Sequence, residues 1–442
     1  MSTNYNIDIV PSNVASNAKV SFRGGNPVIQ FIIGSQDRML LGNSLRFTGK
    51  FRCLTASGQV SSSAEGTLAM SDKLGVYSCI DTLTIKSQRT GQTIESIRNY
   101  NRFLASYLPV TTSKEDNMGH MYESALILPN YASQQASVVN IPSGETTQNH
   151  FCMALPCGLF NGGEPIPLMD EAIGGLLVEL HLAPDSQVFH SSASLATGLA
   201  DSFYEFTDIT LSAEVMEPDA QTLQQLKSRQ SATYEYNSIS SYYQTINSGN
   251  GIINFQLGLS RVLGVFANVV PASHINNIVY DGLATLYPTN TGGVAAPVKE
   301  LFFTRNGTKF PIDFNITTLQ QDYQGAFNEA AGDTTTPDSE IIRNYMNAIQ
   351  RFAGIHRTSL RPQNLQYANS KNFDKAVPFG GCGWGIGVAM DTVSDQGVDF
   401  STVNFGINLS LMLDTDSPQA FYMFAHAKNT LVFGPQGLQV IS

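Results

Sequence analysis

Short alternations of apolar and polar residues, separated by Ser- and Gly-rich breaks, recur along most of the chain. Leu45, Phe47, Gly49 and Phe51 alternate with polar partners, the two-residue period of a strand with one buried face. The run Val28-Ile29-Gln30-Phe31-Ile32-Ile33 has strand length and β-branched character, and a break such as Ser57 to Gly66 follows the next run. Many short strands at this spacing predict a sandwich or barrel. Helical periods are few. Ile94, Ile97, Asn101, Leu104 and Leu108 recur at steps of about 3–4 and predict an amphipathic helix over 94–108, with Pro109 as its stop. Ile341, Ile342, Tyr345, Met346, Ile349 and Phe352 form one stripe over 339–353, with Asp338 or Ser339 as cap. Ala220 to Arg229 is polar, follows Pro218 and reads as a connecting helix.

The two halves of the chain resemble each other. Gly175-Leu176-Leu177-Val178-Glu179-Leu180-His181-Leu182 matches Gly406-Ile407-Asn408-Leu409-Ser410-Leu411-Met412-Leu413. Phe203-Tyr204-Glu205-Phe206 matches Phe421-Tyr422-Met423-Phe424, and each opens the last strand of its half. Ile29-Gln30-Phe31 pairs with Ile253-Asn254-Phe255. Leu83-Thr84-Ile85, with its Gly91 turn, pairs with Leu301-Phe302-Phe303 and the Asn306-Gly307 turn, a strong hairpin signal. Glu95 to Tyr100 echoes Glu340 to Tyr345, at an offset that requires an inserted loop such as 316–338. Four matches in one order at similar offsets indicate one strand plan used twice. The expected organisation is an N-terminal arm (1–24), a first sandwich (25–217), a linker with a short helix (218–250) and a second sandwich (251–442).

Composition narrows the function classes. Of 442 residues, 42% are hydrophobic and only 14% charged, which excludes a disordered chain. The net charge of −11 has the wrong sign for neutralising phosphates, and no basic cluster interleaves with aromatics. A weakly charged surface suits contact with other protein, because interface cores are depleted in charge. No apolar run approaches a membrane span. The start Met1-Ser2-Thr3-Asn4 lacks a basic and then apolar leader, so no secretory signal is expected, and Ser2 excludes myristoylation. Cys53, Cys79, Cys152, Cys157 and Cys382 are odd in number and irregular in spacing, and read as reduced thiols. The sequons at Asn306, Asn315 and Asn408 read as chance matches.

No constellation carries chemistry. The histidines His120, His150, His181, His190, His274, His356 and His426 show no metal-ligand spacing. His181 falls on the strand face opposite Leu180 and Leu182. The run Gly380, Gly381, Gly383, Gly385 and Gly387 around Trp384 fits no phosphate loop, and alternating glycines in a strand allow close backbone approach. No G-x-S-x-G elbow occurs. No catalytic, cofactor-binding or metal residue is therefore assigned, no cofactor is implied, and the chain is not expected to be an enzyme.

The doubled pattern, with Gly175 to Leu182 preceded by Ile166-Pro167-Leu168, resembles the major capsid proteins of the double jelly-roll lineage. Gly91 to Asn101, and Phe31 to Phe51 with its Gln36-Asp37-Arg38-Met39-Leu40-Leu41, are similar to the first jelly roll of polinton-like viruses and virophages. Leu301 to Asp313, with Asn306-Gly307 and Pro311, resembles the matching hairpin of the second. The resemblance is diffuse and covers about residues 25–442. It implies an all-β fold of two tandem eight-stranded jelly rolls with a few short helices in loops. It also implies a capsid subunit of a double-stranded DNA virus that forms homotrimers, each a pseudo-hexameric capsomer of an icosahedral shell. Partners would be neighbouring capsomers and minor capsid and penton proteins, without sequence-specific nucleic-acid contact; whether a membrane lies beneath is left open. The protein would reside in the virion after synthesis inside the host cell. The N-terminal arm would order on neighbours or on the inner surface. Loops 54–75 and 281–298 would lie on one side. The alternative is a carbohydrate-binding or carbohydrate-cleaving tandem sandwich, which requires a cleft with exposed stacked aromatics or paired carboxylates.

Overall fold

The structure, a computed structural model, describes residues 3–442 apart from 58–67, 112–136, 139–148, 192–200, 284–297, 313–338, 354–384, 412–417 and shorter gaps of one to three residues. Alternating segments become strands because every second side chain reaches an interior. The main strands of the first half are β1 (Thr3–Ile9), β2 (Val28–Gly34), β3 (Arg46–Leu54), β4 (Ile80–Ser87), β5 (Thr93–Arg98), β6 (Asn149–Ala154), β7 (Gly175–Leu182) and β8 (Phe203–Glu217). Those of the second half are β9 (Ala232–Ile246), β10 (Asn250–Gln256), β11 (Val262–Pro271), β12 (Val298–Arg305), β13 (Thr308–Lys309), β14 (Ile386–Ala389), β15 (Asn404–Leu411) and β16 (Gln419–Gly434). The helices that bear on the seam and the linker are α1 (Tyr100–Thr111), α2 (Gly158–Asn161), α3 (Ala220–Ser228) and α4 (Ser339–Ala353). Shorter strands, such as Met39–Leu40 and Gly437–Ile441, extend the sheets.

Each half makes two main antiparallel sheets, and the first half adds a small one from Leu68–Met70, Ser137–Val138 and Phe189–Ser191. In roll one the main sheets run β2-β7-β4-β5 and β1-β8-β3-β6; in roll two they run β10-β15-β12-β13 and β9-β16-β11-β14. Adding eight to each label of roll one yields roll two, so the expected repeat is the actual topology. Phe31 and Phe47, 6.0 Å apart, join the two sheets of roll one; Tyr242 and Phe255, 6.3 Å apart, join those of roll two. The Asn306-Gly307 turn closes β12 on β13, with φ of 50° and 81° and Thr304 opposite Lys309.

Register is repeated by face rather than by residue. Val178 stands opposite Phe31 and Ile85. Its counterpart Leu409 stands opposite Gly251 and Leu301, where residue-for-residue repetition would place Phe255 and Phe303. Both slips are even, so every side chain keeps its face. The Phe203–Phe206 match with Phe421–Phe424 is different: it is one residue out of phase. Tyr204 and Phe206 point into roll one, where Tyr204 donates its hydroxyl to the Ala183 carbonyl at 2.5 Å. In roll two Met423 lies opposite the inward Tyr242, so Tyr422 and Phe424 point outward. Residues 419–427 are buried on both faces, so alternation could not set the phase there.

Other expectations are corrected. Residues 93–98 are not the start of a helix but β5, paired with β4 from Thr82–Arg98 to Lys86–Thr93. Ile94, Glu95 and Ile97 are all buried, which masks the strand period; Asn99, at φ 53°, ends the ladder and α1 then runs past Pro109 to Thr111. The Glu95–Tyr100 echo of Glu340–Tyr345 thus matches mostly strand to helix, and what survives is a buried tyrosine, Tyr100 or Tyr345, in each helix. Within the expected arm, residues 3–9 pair with Leu211–Glu217 of the same chain, and Val20 bridges Phe206. Within the expected linker, 232–246 form β9, paired with β16 along its whole length. The helix at 220–228 stands as expected. Most of loops 54–75 and 281–298, and Cys382, Trp384, Asn315, His120 and His356, lie outside the described residues.

Candidate assembly faces

The two rolls meet at a seam built from opposite chemistries. Its apolar part surrounds Phe103 of α1. This ring lies 6.2 Å from Phe266 on β11, 5.7 Å from Phe424 on β16 and 5.7 Å from Phe352 on α4. A helix of roll one thus covers the outer face of a sheet of roll two. On that face α4 comes close because Gly385 and Gly387 carry no side chain. A Cβ on Gly385 would lie 2.4 Å from the Tyr345 ring; one on Gly387 would lie 3.0 Å from the Val265 carbonyl and 3.1 Å from the Tyr345 Cα. The expected role of the alternating glycines holds at these two positions.

The polar part of the seam is fully enclosed. Arg102 on α1 is only 2% exposed; its guanidinium lies 4.0 Å from the Tyr422 ring and donates to the Gly282 carbonyl at 2.5 Å. Asn268 donates to the Arg102 carbonyl at 2.7 Å and accepts from Ser106 (2.5 Å) and the Tyr345 hydroxyl (3.1 Å). Glu95 on β5 accepts from the backbone N–H of Gly158 (3.1 Å) and Leu159 (2.8 Å) in its own roll and of Ile239 (3.0 Å) in roll two. Burial pushes its carboxyl up to about 7, although these donors pull the other way. The Tyr236 hydroxyl donates to the Ile94 carbonyl at 2.8 Å beside it. His426, also outward on β16, is buried against Phe352 at 5.2 Å; desolvation, helped by the Arg351 charge, pushes its pKa down to about 3. It is a neutral core histidine.

The same sheet in roll one has a polar outer face. Arg52 donates to Glu205 at 2.7 Å, Lys50 pairs with Asp208 at 2.6 Å, and the Thr48 and Thr210 hydroxyls meet at 2.5 Å. His150 and Cys152 on β6 are exposed there. Among the described cysteines, Cys53, Cys79 and Cys157 are buried and unpaired, with thiols pushed up by burial.

Between the rolls opens a cleft of about 840 Å³. Arg98 and Asn99 of roll one line one side; β9, β10 and the start of β15 line the other, and no carboxylate is among the described lining residues. Tyr243, 53% exposed, leans on Tyr422 with ring centroids 4.9 Å apart. Among the described residues no group of three His, Cys, Asp or Glu is placed to hold a metal ion. His181 is half-buried on its expected face. Sequence reasoning singled out none of Glu95, Arg102, Asn268 or Arg98. The available signal was a charge interrupting an apolar stripe, as Glu95 does between Ile94 and Ile97.

No family model matches the sequence, and no curated protein does. Solved structures match over the whole chain. The chain is similar to the capsid protein of the PBCV-1 virus at 12% identity, over 100% of this chain and 97% of that one, with a TM-score of 0.57. It is similar to a chain of the Sputnik virophage at 12% identity, over 100% and 88%, with a TM-score of 0.53. It is similar to the Faustovirus major capsid protein at 9% identity, over 97% and 90%, with a TM-score of 0.54. With two like sandwiches joined at a seam, and with these likenesses end to end, the chain has the double jelly-roll fold found in viral capsid proteins.

Proposed function

We propose that the chain is a major capsid protein, a structural rather than catalytic subunit that trimerises into pseudo-hexameric capsomers of an icosahedral shell. The observation that carries this reading is the repeated sheet with two different outer faces. Inside the chain, roll one closes the outer face of roll two through Phe103. The equivalent face of roll one, around Thr48 and Lys50, carries ion pairs and hydroxyls. Three chains placed head to tail would repeat a similar contact there, making six like sandwiches in a ring. Paired and neutral groups on that face lower the desolvation cost of such a contact. The similar structures named above are capsid proteins, which supports the same reading. Residence in the virion, contact with neighbouring capsomers and with minor capsid and penton proteins, and the absence of direct nucleic-acid recognition follow from it. Light scattering of the purified chain tests it: about three times 47.9 kDa is expected. A chain that remains a monomer at high concentration overturns it. Electron microscopy of source particles separates a shell protein from a minor one by copy number.

A further inference from the structure

We infer that the cleft between the rolls is a docking groove for an extended polypeptide segment carrying a carboxylate, which adds as a strand to the free edge of β10. The two rolls differ at this edge. In roll one the edge strand β2 is covered by the chain itself. Pro11 bridges Phe31, the Ser12 N–H donates to the Gln30 carbonyl at 2.7 Å, and the Asn13 amide both donates to the Val28 carbonyl (2.7 Å) and accepts from the Gln30 N–H (2.9 Å). This covering comes from the long connection 10–27 between β1 and β2. Its counterpart between β9 and β10 is only 247–249, too short to fold back over the edge.

Side-chain face and edge direction alternate together along a strand. Val28 and Gln30, on the outward face of β2, turn their backbone groups to the free edge. The outward residues of β10 are Ile252, Asn254 and Gln256, all exposed. Their N–H and C=O groups therefore point to the equivalent edge, and no hydrogen bond among the described residues uses them. An uncovered row of backbone donors and acceptors is a template for strand addition.

The cleft along this edge adds specificity. Arg98 is exposed, and among the described residues it has no ion-pair partner and no carboxylate lines the cleft with it. The Ser241 hydroxyl, in the same lining, is buried without a hydrogen-bond partner. Tyr243 presents a half-exposed ring beside them. A strand on β10 with an acidic residue facing Arg98 would pair that charge and pack beside Tyr243. Roll one supplies a model for such a segment: Pro11, Ser12 and Asn13 lie on the equivalent edge, and the strand just before them, Ile7-Asp8-Ile9, carries a carboxylate.

A fluorescent peptide of the eight residues Ile7 to Val14 is the probe, titrated against the full chain in its native oligomer. Saturable binding is expected, with slowed amide hydrogen exchange over 250–256. Arg98→Glu should weaken it about tenfold or more. Asn254→Pro should abolish it while leaving the β10–β15 ladder intact, because the lost N–H is the edge-facing one; circular dichroism and an unchanged oligomer mass check the fold. No binding at millimolar peptide, binding indifferent to both substitutions, or exchange protection elsewhere overturns the inference. So does a Tyr243-dependent uptake of an oligosaccharide with no uptake of peptide. None of these outcomes bears on the capsid reading, which is decided by mass and microscopy.

Discussion

The outer face of the β9-β16-β11-β14 sheet and that of the β1-β8-β3-β6 sheet are the same surface on two copies of one plan, and their chemistry is opposite. The first carries Phe266, Phe424, Tyr422 and His426 under two helices. The second carries Lys50, Asp208, Arg52, Glu205 and paired threonines. The backbone tolerates either, because a sheet needs only one apolar face to hold its sandwich. What differs is when each face is covered. A face buried permanently during folding can be aromatic. A face that waits for a partner must stay soluble until then, and ion pairs and hydroxyls keep it so.

The sharpest way to break this comparison is Phe103→Ala. It removes the ring that fills the seam and should cost about 3–5 kcal/mol, read as a lower denaturation midpoint. An effect below about 1 kcal/mol would mean that the seam is not a permanent core. Next is Glu95→Ala, which leaves the N–H groups of Gly158, Leu159 and Ile239 buried and unpaired, at a cost of about 3 kcal/mol. Glu95 also sets a pH dependence. Its folded pKa of about 7 lies above the unfolded value of 4.5, so the folded state holds more protons between these values. Stability should fall as pH rises through that window, by about 3 kcal/mol, and level off above it. Urea titrations at several pH values would show the slope, and Glu95→Gln should remove it.

A smaller effect is expected at Gly387→Ala, where the added methyl presses on the Val265 carbonyl and on α4; about 1–3 kcal/mol should be lost, with the α4 amides exchanging faster. The smallest belongs to the other face. A double-mutant cycle of Lys50→Met and Asp208→Asn should give a coupling below about 1 kcal/mol, since both groups are partly exposed. Thr48→Trp should leave the thermal midpoint of the monomer nearly unchanged and weaken assembly instead. Equal effects at Phe103 and Thr48 on both readouts would erase the distinction between the two faces.

Much of the architecture was legible along the chain. The Asn306-Gly307 hairpin, the helix at 339–353 and the strand plan used twice are all local patterns of period two or 3.6. The β1 strand was not read, because the polar composition of the arm hid the alternation of Tyr5, Ile7 and Ile9 with Asn4, Asn6 and Asp8. The strand at 93–98 was not, because Glu95 is buried among apolar neighbours and erases the alternation. The phase of Phe421 to Phe424 was not either, since both faces of that strand are covered.

Sequence by itself determined the fold class, the doubling and the acidic net charge. These follow from hydrophobic periodicity, turn chemistry and net charge, which act over a few residues or over the whole composition. Only the tertiary structure decided which outer face is sealed, that Glu95 and Arg102 tie the rolls together, and that the β2 edge is covered while no hydrogen bond among the described residues covers that of β10. Each of these depends on residues some 15 to 320 positions apart in the chain meeting in space, as Asn13 meets Val28 and Arg102 meets Gly282 and Tyr422. No local period encodes such a meeting, because it is set by how the packed sheets place their edges and faces against one another.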